Sequence, residues 1–218
     1  HAFCNEVVFY ENRKKFYSVI RSKKIDLSKA RFILMRQNPP FNMDYITATF
    51  LLEKIPKPTQ VVNNPTAVRN MPEKLHSIEF LKLMPATIFT SSIDAIDKFR
   101  RKHKKIVIKP THGYGGKNIL FVNKKLKRKK ILNYINQHDQ VMVQKFLPKI
   151  KQGDKRIFVI GGVIKGAIRR IPKRGSIISN IGQGGIPTKT ALTMQELKIA
   201  KIVARNLKKN KIVFAGID

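Results

Sequence analysis

The stretch from residue 106 to 122, IVIKPTHGYGGKNILFV, constrains the fold more than any other part of the sequence. An apolar run ends in Lys109 and Pro110, three glycines follow within four positions, and a second apolar run continues the chain. Short apolar runs bounded by glycine and proline are typical of strands. The pattern therefore predicts strand, glycine-rich loop, strand, with Lys109 at the tip of the first strand.

This loop does not match the two common phosphate-binding loops. A Walker A loop reads G-x-x-x-x-G-K-[ST] and opens a helix, whereas Asn118 follows Gly116 and Lys117 here and the chain continues into a strand. The dinucleotide fingerprint also requires a helix after its glycines. What remains is a flap whose bare backbone N–H groups fold over a polyphosphate beside Lys109. A plain glycine-rich hairpin with an exposed lysine fits the motif equally well.

The charge of the chain is extreme, because 45 Lys and Arg residues stand against 13 Asp and Glu, a net charge of +32. So basic a surface attracts polyanions, which makes a nucleic-acid-binding module an alternative interpretation. The basic residues occur in nearly every segment, however, and no run interleaves them with stacking aromatics. We interpret them, including the runs at 124–130 and 208–211, as a solvated surface and expect no nucleic-acid partner.

Composition limits the class of protein further. With 42% hydrophobic residues the chain can bury a core, and no apolar run approaches the roughly 18 to 20 residues of a membrane span. The single cysteine, Cys4, excludes an internal disulfide. We therefore expect a cytoplasmic protein with no membrane partner. The chain starts at His1 and stops inside a predicted strand, so we expect truncation at both ends.

The first part of the chain combines strands with polar loops. Residues 7–10 are strand-like and residues 12–20 are helix-like. Two strands, within 31–35 and 59–62, each run into a loop rich in asparagine and proline, and the second closes on Asn63. Two successive units of this kind favour a parallel sheet whose loops line a cleft.

From about residue 86 onwards the pattern becomes α+β. Gly161 and Gly162 suit the tight turn of a hairpin, and Thr193 with Glu196 forms a capping box in front of an amphipathic helix. The segment 174–185, RGSIISNIGQGG, is predicted as a long polar loop.

Several short segments carry chemistry. The main chain of QKFLPKI, 144–150, suits contact with an adenine edge, and GDKR, 153–156, sets a carboxylate beside two cations. Arg156 and Arg170 lie at the two ends of one predicted hairpin, so both can project towards a single anionic site. Asp154 also fits an ordinary Gly-Asp turn, and that alternative stays open.

In this order, the segments resemble the bacterial glutathione synthetases of the ATP-grasp superfamily. The likeness is carried by MR-x-x-PPF at 35–41, KP-x-x-G-x-GG at 109–116 and GDKR, together with VVNNP, RRIP, SNIGQGG and IVFAGID. It covers nearly everything after residue 30 and almost nothing before it. The resemblance implies an α/β and α+β protein with an ATP-grasp fold of two α+β subdomains, preceded by the remnant of a Rossmann-like parallel-sheet domain.

The resemblance also implies domain boundaries. Residues 1–70 would form a partial N-terminal substrate domain, and residues 71–218 a C-terminally truncated ATP-grasp domain. The subdomains of the latter would be 71–140 and 141–218.

The implied activity is a ligation. ATP with Mg²⁺, or Mn²⁺ in its place, phosphorylates a carboxylate of γ-glutamylcysteine, and the amine of glycine attacks the acyl phosphate to give glutathione, ADP and phosphate. From the resemblance to this family we also expect the protein to be a homo-oligomer. The alternative is another ATP-grasp carboxylate–amine ligase that joins a different peptide or amino-acid pair.

The resemblance assigns roles to individual residues. Lys74 and Lys109 would contact the phosphates of ATP, and Gly113, Gly115 and Gly116 would form the small lid. The adenine would be lined by Gln144, Lys145, Phe146 and Leu147. Asp154 would contact the ribose. Arg156 and Arg170 would hold the acyl phosphate or the substrate carboxylates, and Asn180 would belong to a second lid. Asp218 would be the first magnesium ligand. Because family members supply a Glu and an Asn shortly after it, we expect the 218-residue chain to be nearly inactive.

The chain departs from the family pattern at several positions. The aspartate of the small lid is His112 here, which we interpret as an exposed loop residue, and the aspartate before PPF is Asn38. An arginine and a glycine of the large lid are replaced by Ile178 and Ser179. This last pair leaves the peptide specificity open.

Overall fold

The computed structural model describes residues 1–11, 15–123 and 127–218. The helices are α1 Met43–Glu53, α2 Pro65–Asn70, α3 Glu73–His76, α4 Ile93–His103, α5 Arg128–His138 and α6 Met194–Lys209. The strands are β1 Ala2–Phe9, β2 Tyr17–Ile25, β3 Phe32–Leu34, β4 Gln60–Val62, β5 Thr87–Thr90, β6 Ile106–Pro110, β7 Leu120–Val122, β8 Val141–Lys145, β9 Asp154–Ile160, β10 Val163–Ile171, β11 Ile186–Lys189 and β12 Phe214–Ile217. Within these ranges, no helix has both the length and the apolar character needed to cross a membrane.

The chain begins with an antiparallel hairpin, because β1 pairs with β2 from Ala2 opposite Ile25 to Phe9 opposite Tyr17. The helix predicted over 12–20 is therefore wrong from Tyr17 onwards, and residues 12–14 lie outside the described residues. Tyr17, Val19 and Ile20 are aromatic or β-branched, which favours a strand once a partner is present. That partner, β1, was not part of the local pattern used for the helix prediction.

Strands β3 and β4 pair in parallel, Phe32 with Gln60 through Leu34 with Val62. The parallel arrangement predicted for this region is confirmed. A polar residue caps the helix after each strand: the side chain of Asn42 accepts a hydrogen bond from the Tyr45 N–H at 3.0 Å, and Asn64 accepts one from the Ala67 N–H at 2.9 Å. Each cap satisfies a backbone donor that the first turn of a helix leaves free.

A four-stranded sheet in the order β5-β8-β6-β7 follows, with antiparallel pairing throughout. Ile106 and Ile108 are fully buried against α4 and α5 in one hydrophobic core. Residues two apart on a strand face the same side of a sheet, so Val107 and Lys109 face the opposite side. The predicted order of strand, glycine-rich loop and strand is confirmed by β6 and β7.

The second four-stranded sheet has the order β11-β10-β9-β12, again antiparallel. The predicted turn between β9 and β10 is confirmed, with positive φ angles at Gly161 and Gly162. The predicted capping box is also confirmed, since Thr193 and Glu196 bond each other's backbone N–H at the start of α6. Strand β11 was not predicted; it adds to the edge of β10 directly after the polar loop 174–185.

One side chain joins the parallel strands to this second sheet. The Oδ1 atom of Asn63 accepts hydrogen bonds from the Val213 N–H at 2.8 Å and the Phe214 N–H at 2.7 Å, and its Nδ2 donates to the Phe214 carbonyl at 3.0 Å. Helix α2 packs in the same region, against the core formed by α6 and β9. The start of β12 is therefore held by two partners, the neighbouring strand β9 and the side chain of Asn63.

Candidate active site

A cavity of about 500 Å³ lies between the glycine-rich loop and the two four-stranded sheets, β5-β8-β6-β7 and β11-β10-β9-β12. Every residue that the sequence analysis assigned to the site is among its lining residues, which include Lys74, Lys109, Gly113, Gly115, Gly116, Gln144, Lys145, Phe146, Leu147, Asp154, Arg156, Arg170, Asn180 and Asp218. Segments more than a hundred positions apart in the sequence thus meet in one place. The individual roles remain predictions.

Lys109 reaches the cavity from β6, where its Nζ donates a hydrogen bond to Gln144 Oε1 at 3.0 Å. The amide of Gln144 is itself fixed, because its Nε2 donates to the Thr87 hydroxyl at 3.0 Å. Burial, followed by the nearby charge of Lys74, lowers the pKa of Lys109. The site therefore holds a lysine whose charge is costly until an anion arrives.

The glycine-rich loop needs its glycines for two physical reasons. Gly115 and Gly116 have φ angles of +62° and +76°, a conformation that residues with a side chain rarely adopt. A Cβ on Gly116 would also lie 2.6 Å from the Cγ2 of Ile178, so this loop and the loop 174–185 meet there. Lys74 donates a hydrogen bond to the Gly113 carbonyl, which ties α3 to the same loop.

Residues 144–147 form one wall of the cavity. The backbone N–H groups of Lys145 and Phe146 are already used, since they donate to the carbonyls of Ala86 at 2.9 Å and Lys105 at 3.0 Å. In the described part of the chain the N–H of Leu147 makes no hydrogen bond. Leu147 is thus the backbone donor of this wall that a ligand can use.

Asp154 and Arg170 are directly opposite each other on β9 and β10, and cross-strand partners lie on the same face of a sheet. The Nε and Nη2 atoms of Arg170 donate to the two oxygens of Asp154 at 2.8 and 2.6 Å, and the Ser179 hydroxyl adds a third bond at 2.7 Å. Burial alone would raise the pKa of Asp154, but the bonds from Arg170 and Ser179 lower it. The carboxylate of Asp154 is therefore bonded to Arg170 and Ser179 and does not cap a Gly-Asp turn, which was the alternative interpretation. Its contact with a ribose remains a prediction.

Arg156 and Asp218 form a second ion pair at the cavity. Register explains it, because Ile157 pairs with Ile217 and the next residues towards the cavity are Arg156 and Asp218. Arg156 Nε lies 2.6 Å from Asp218 Oδ1, and Arg170 Nη2 lies 3.0 Å from the same carboxylate oxygen. Asp218 is therefore shared between two guanidinium groups.

A magnesium ion would find few ligands in this set. Among the described residues no group of three or more His, Cys, Asp and Glu side chains is arranged to hold a metal. Asp218 has the oxygen chemistry that Mg²⁺ prefers, but a single carboxylate paired with two arginines is not a metal site. Within the described residues Asp218 alone does not make a magnesium site, and its role as a metal ligand remains a prediction.

Several residues that line the cavity were not predicted from the sequence. Val107 shares the cavity face of β6 with Lys109, so strand alternation would have identified it. Ile178 and Ser179 were noted only as departures from a family pattern. His112 is an exposed loop residue, as predicted. Its ring stacks on that of Phe41, with ring centroids 6.0 Å apart, and no role in the site follows from that contact.

Two family models match the chain, and together they cover almost all of it. Residues 73–218 match the model described as prokaryotic glutathione synthetase, ATP-grasp domain, and residues 1–69 match that of the N-terminal domain. The chain belongs to the prokaryotic glutathione synthetase family. The match to the glutathione synthetase N-terminal domain starts at residue 1, so the likeness extends over residues 1–30, where the sequence analysis found almost none.

Named relatives agree with this family. The chain is 37% identical over 203 residues to a glutathione synthetase from Rhodopseudomonas palustris, covering 89% of this chain and 63% of that protein. It is 39% identical over 194 residues to the one from Bradyrhizobium diazoefficiens, covering 85% and 60%. The chain therefore spans less than two thirds of the length of these glutathione synthetases.

The fold is also found in a solved structure of a RiPP-associated ATP-grasp ligase from Chryseobacterium gregarium, in complex with ADP and a leader and core peptide. The TM-score is 0.60 at 17% sequence identity, covering 98% of this chain and 72% of that one. At this identity the similarity shows the fold alone, and it confirms the predicted ATP-grasp fold of the glutathione synthetase family.

Proposed function

We propose that the protein containing this chain is an ATP-dependent ligase that joins γ-glutamylcysteine to glycine and releases glutathione, ADP and phosphate. The observation that carries the proposal is the shared cavity, in which two lysines, a glycine-rich loop and two arginines surround one space. A site of cations and backbone donors suits phosphoryl transfer, which depends on positioning and charge neutralisation. We take residues 1–70 as the N-terminal substrate domain and 71–218 as the ATP-grasp domain.

The chemistry has two steps. A carboxylate oxygen of γ-glutamylcysteine attacks the γ-phosphorus of ATP, the bond to the bridging oxygen breaks, and ADP leaves. The amine of glycine then attacks the carbonyl carbon of the acyl phosphate, loses a proton, and expels phosphate. Lys74 and Lys109 would neutralise the phosphate oxygens in the first step, and Arg156 and Arg170 would hold the acyl phosphate in the second.

The remaining groups would bind ATP. The N–H of Leu147 would donate to the adenine ring, and Gly113, Gly115 and Gly116 would cover the phosphates without side-chain obstruction. Mg²⁺ bound together with ATP would supply polarisation of the phosphates. Asp218 would be one of its ligands, together with oxygen ligands outside these residues.

The test is a coupled assay of ADP release by the complete protein. We expect release with γ-glutamylcysteine plus glycine, and little with D-alanine or glutamate as the offered substrates. Turnover only with the latter would assign the protein to a different ATP-grasp carboxylate–amine ligase.

We propose further that the protein is a cytoplasmic homo-oligomer and that the β1–β2 hairpin lies between its copies. Phe3, Phe9 and Phe16 of this hairpin are 86%, 77% and 66% exposed. A two-stranded hairpin is marginally stable alone in water, and a second copy of the chain would cover these exposed aromatic side chains. Light scattering should give a multiple of the monomer mass, and Phe3→Ser with Phe9→Ser should reduce it. An unchanged mass would place the contact elsewhere.

A further inference from the structure

Ser179 lies in the loop 174–185 and is buried, at 6% exposure, although it carries a hydroxyl. That hydroxyl donates to Asp154 Oδ2 at 2.7 Å, across 25 positions of sequence. A hydrogen bond to a charged acceptor is stronger than one between neutral groups. The contact is thus well suited to hold the loop against β9.

The loop around Ser179 is a compact turn. The N–H groups of Gln183 and Gly185 both donate to the Asn180 carbonyl, at 2.9 and 3.0 Å. A Cβ on Gly185 would lie only 1.9 Å from the Ser179 carbonyl oxygen, so the two backbones touch. Residues 179–185 are therefore linked to one another, and a bond made by Ser179 restrains the whole turn, including the cavity residue Asn180.

Asp154 passes this restraint on to Arg170. Arg170 is only 4% exposed. It donates to Asp154 through Nε and Nη2, and its Nη2 also forms an ion pair with Asp218 Oδ1 at 3.0 Å. A guanidinium has five N–H donors. Within the described residues its Nη1 makes no hydrogen bond, so two donors remain for an anion in the cavity that Arg170 lines.

We propose that Ser179 is a positioning residue for Arg170. By bonding Asp154 it sets the guanidinium in the orientation that offers Nη1 to an anion, and it makes that orientation depend on the turn 179–185 being seated. Closure of this loop and positioning of the Arg170 guanidinium for an anion are therefore coupled. The identity of the anion, the acid substrate or its acyl phosphate, rests on the proposed function; the Ser179–Asp154–Arg170 link does not.

Hydrogen exchange tests the link without any turnover. In the complete protein, Ser179→Ala should speed exchange of the amides in 180–185 about tenfold, as expected when a hydrogen bond to a charged group is lost. Ser28→Ala is the matched control, because Ser28 also donates to an aspartate, Asp26 Oδ1, at 2.7 Å. It should leave 180–185 unchanged. Unaltered exchange in Ser179→Ala would overturn the proposal.

A double-mutant cycle tests whether Ser179 acts through Asp154. Ser179→Ala should lower kcat/KM for the acid substrate about tenfold, and Ser179→Thr, which keeps the hydroxyl, should restore most of it. In an Asp154→Asn background, Ser179→Ala should have little further effect. Full additivity of the two losses, or a threonine variant as impaired as the alanine one, would overturn the proposal. Absence of glutathione synthesis by the unsubstituted protein would instead refute the proposed function, and the exchange result would still decide the role of Ser179.

Discussion

Lys109 illustrates how much a single side chain can decide in this protein. It lies on the cavity face of β6, and Gln144 Oε1 accepts its hydrogen bond. Burial and the neighbouring Lys74 lower its pKa, while Glu73, Asp218 and Asp154 act in the other direction. A bound polyphosphate would supply the opposite charge that the lysine lacks.

Replacing Lys109 with Met should weaken ATP binding about ten- to a hundred-fold, because a charge-assisted hydrogen bond to phosphate contributes about 1.5 to 3 kcal/mol. Isothermal titration calorimetry measures this directly. The same substitution at Lys165, which is exposed on β10, is the control and should change nothing. An ATP affinity that survives the loss of Lys109 would remove this residue from the site.

The lowered pKa of Lys109 also predicts a pH effect. Its protonated form is disfavoured in the folded protein. The charge therefore costs stability in full below the lowered folded pKa, and this cost falls as pH rises from the folded pKa to the unfolded pKa of about 10.4, above which it is gone. ATP should reverse the shift by favouring the protonated lysine. Binding should therefore take up protons at alkaline pH and fewer near neutrality, as measured by calorimetry in buffers of different ionisation enthalpy. Equal uptake in Lys109→Met would contradict the assignment.

At the scale of elements, the short strand β12 depends on help from outside its own sheet. Asn63 makes three hydrogen bonds with Val213 and Phe214, at the end of β12 away from Asp218. The position of Asp218 is thus linked to the parallel strands through one carboxamide.

Asn63→Ala should lower the free energy of unfolding by about 2 to 4 kcal/mol, since each hydrogen bond contributes roughly 0.5 to 1.5 kcal/mol. Urea unfolding followed by circular dichroism measures the loss. Asn5→Ala is a suitable control, because Asn5 is exposed and accepts a single bond from Ser22; it should cost far less. Equal costs for the two variants would mean that the Asn63 bridge does not stabilise the fold.

Elements with a local signal could be predicted from the sequence. The capping box at Thr193, the glycine turn at 161–162 and the glycine-rich loop all depend on neighbours within a few residues. Strands β2 and β11 were not predicted, because they are stabilised by pairing with β1 and β10, which lie elsewhere in the chain. The role of Ser179 was not predicted for the same reason, since its partner Asp154 lies 25 positions earlier in the sequence.

At the scale of the whole molecule, the net charge of +32 is the dominant property. The described residues contain ion pairs around a few carboxylates, but most lysines and arginines have no acidic group to pair with, because bases outnumber acids 45 to 13. Mutual repulsion of like charges destabilises a compact state.

Salt should therefore stabilise this protein. Raising NaCl from about 0.02 M to about 0.3 M shortens the screening length several-fold, and we expect the melting temperature to rise by about 2 to 5 °C. Sulfate would add other effects, so chloride is the appropriate salt for differential scanning fluorimetry. A melting temperature that falls with NaCl would show that the ion pairs outweigh the repulsion.

The carboxylate of Asp218, held by Arg156 and Arg170, affects which anions the cavity can accept. An anion that approaches Arg156 or the Nη2 of Arg170 must compete with this resident carboxylate, which is tethered by the chain, whereas the Nη1 of Arg170 can donate to the anion directly. We therefore expect small monovalent ions such as chloride to bind weakly there, and a multiply charged phosphoryl group with several contacts to displace the carboxylate. Competition with Asp218 should lower the affinity of the cavity for anions in general and raise its selectivity for multiply charged ones. It should thereby limit occupation of this basic cavity by the most abundant small anions of the cell.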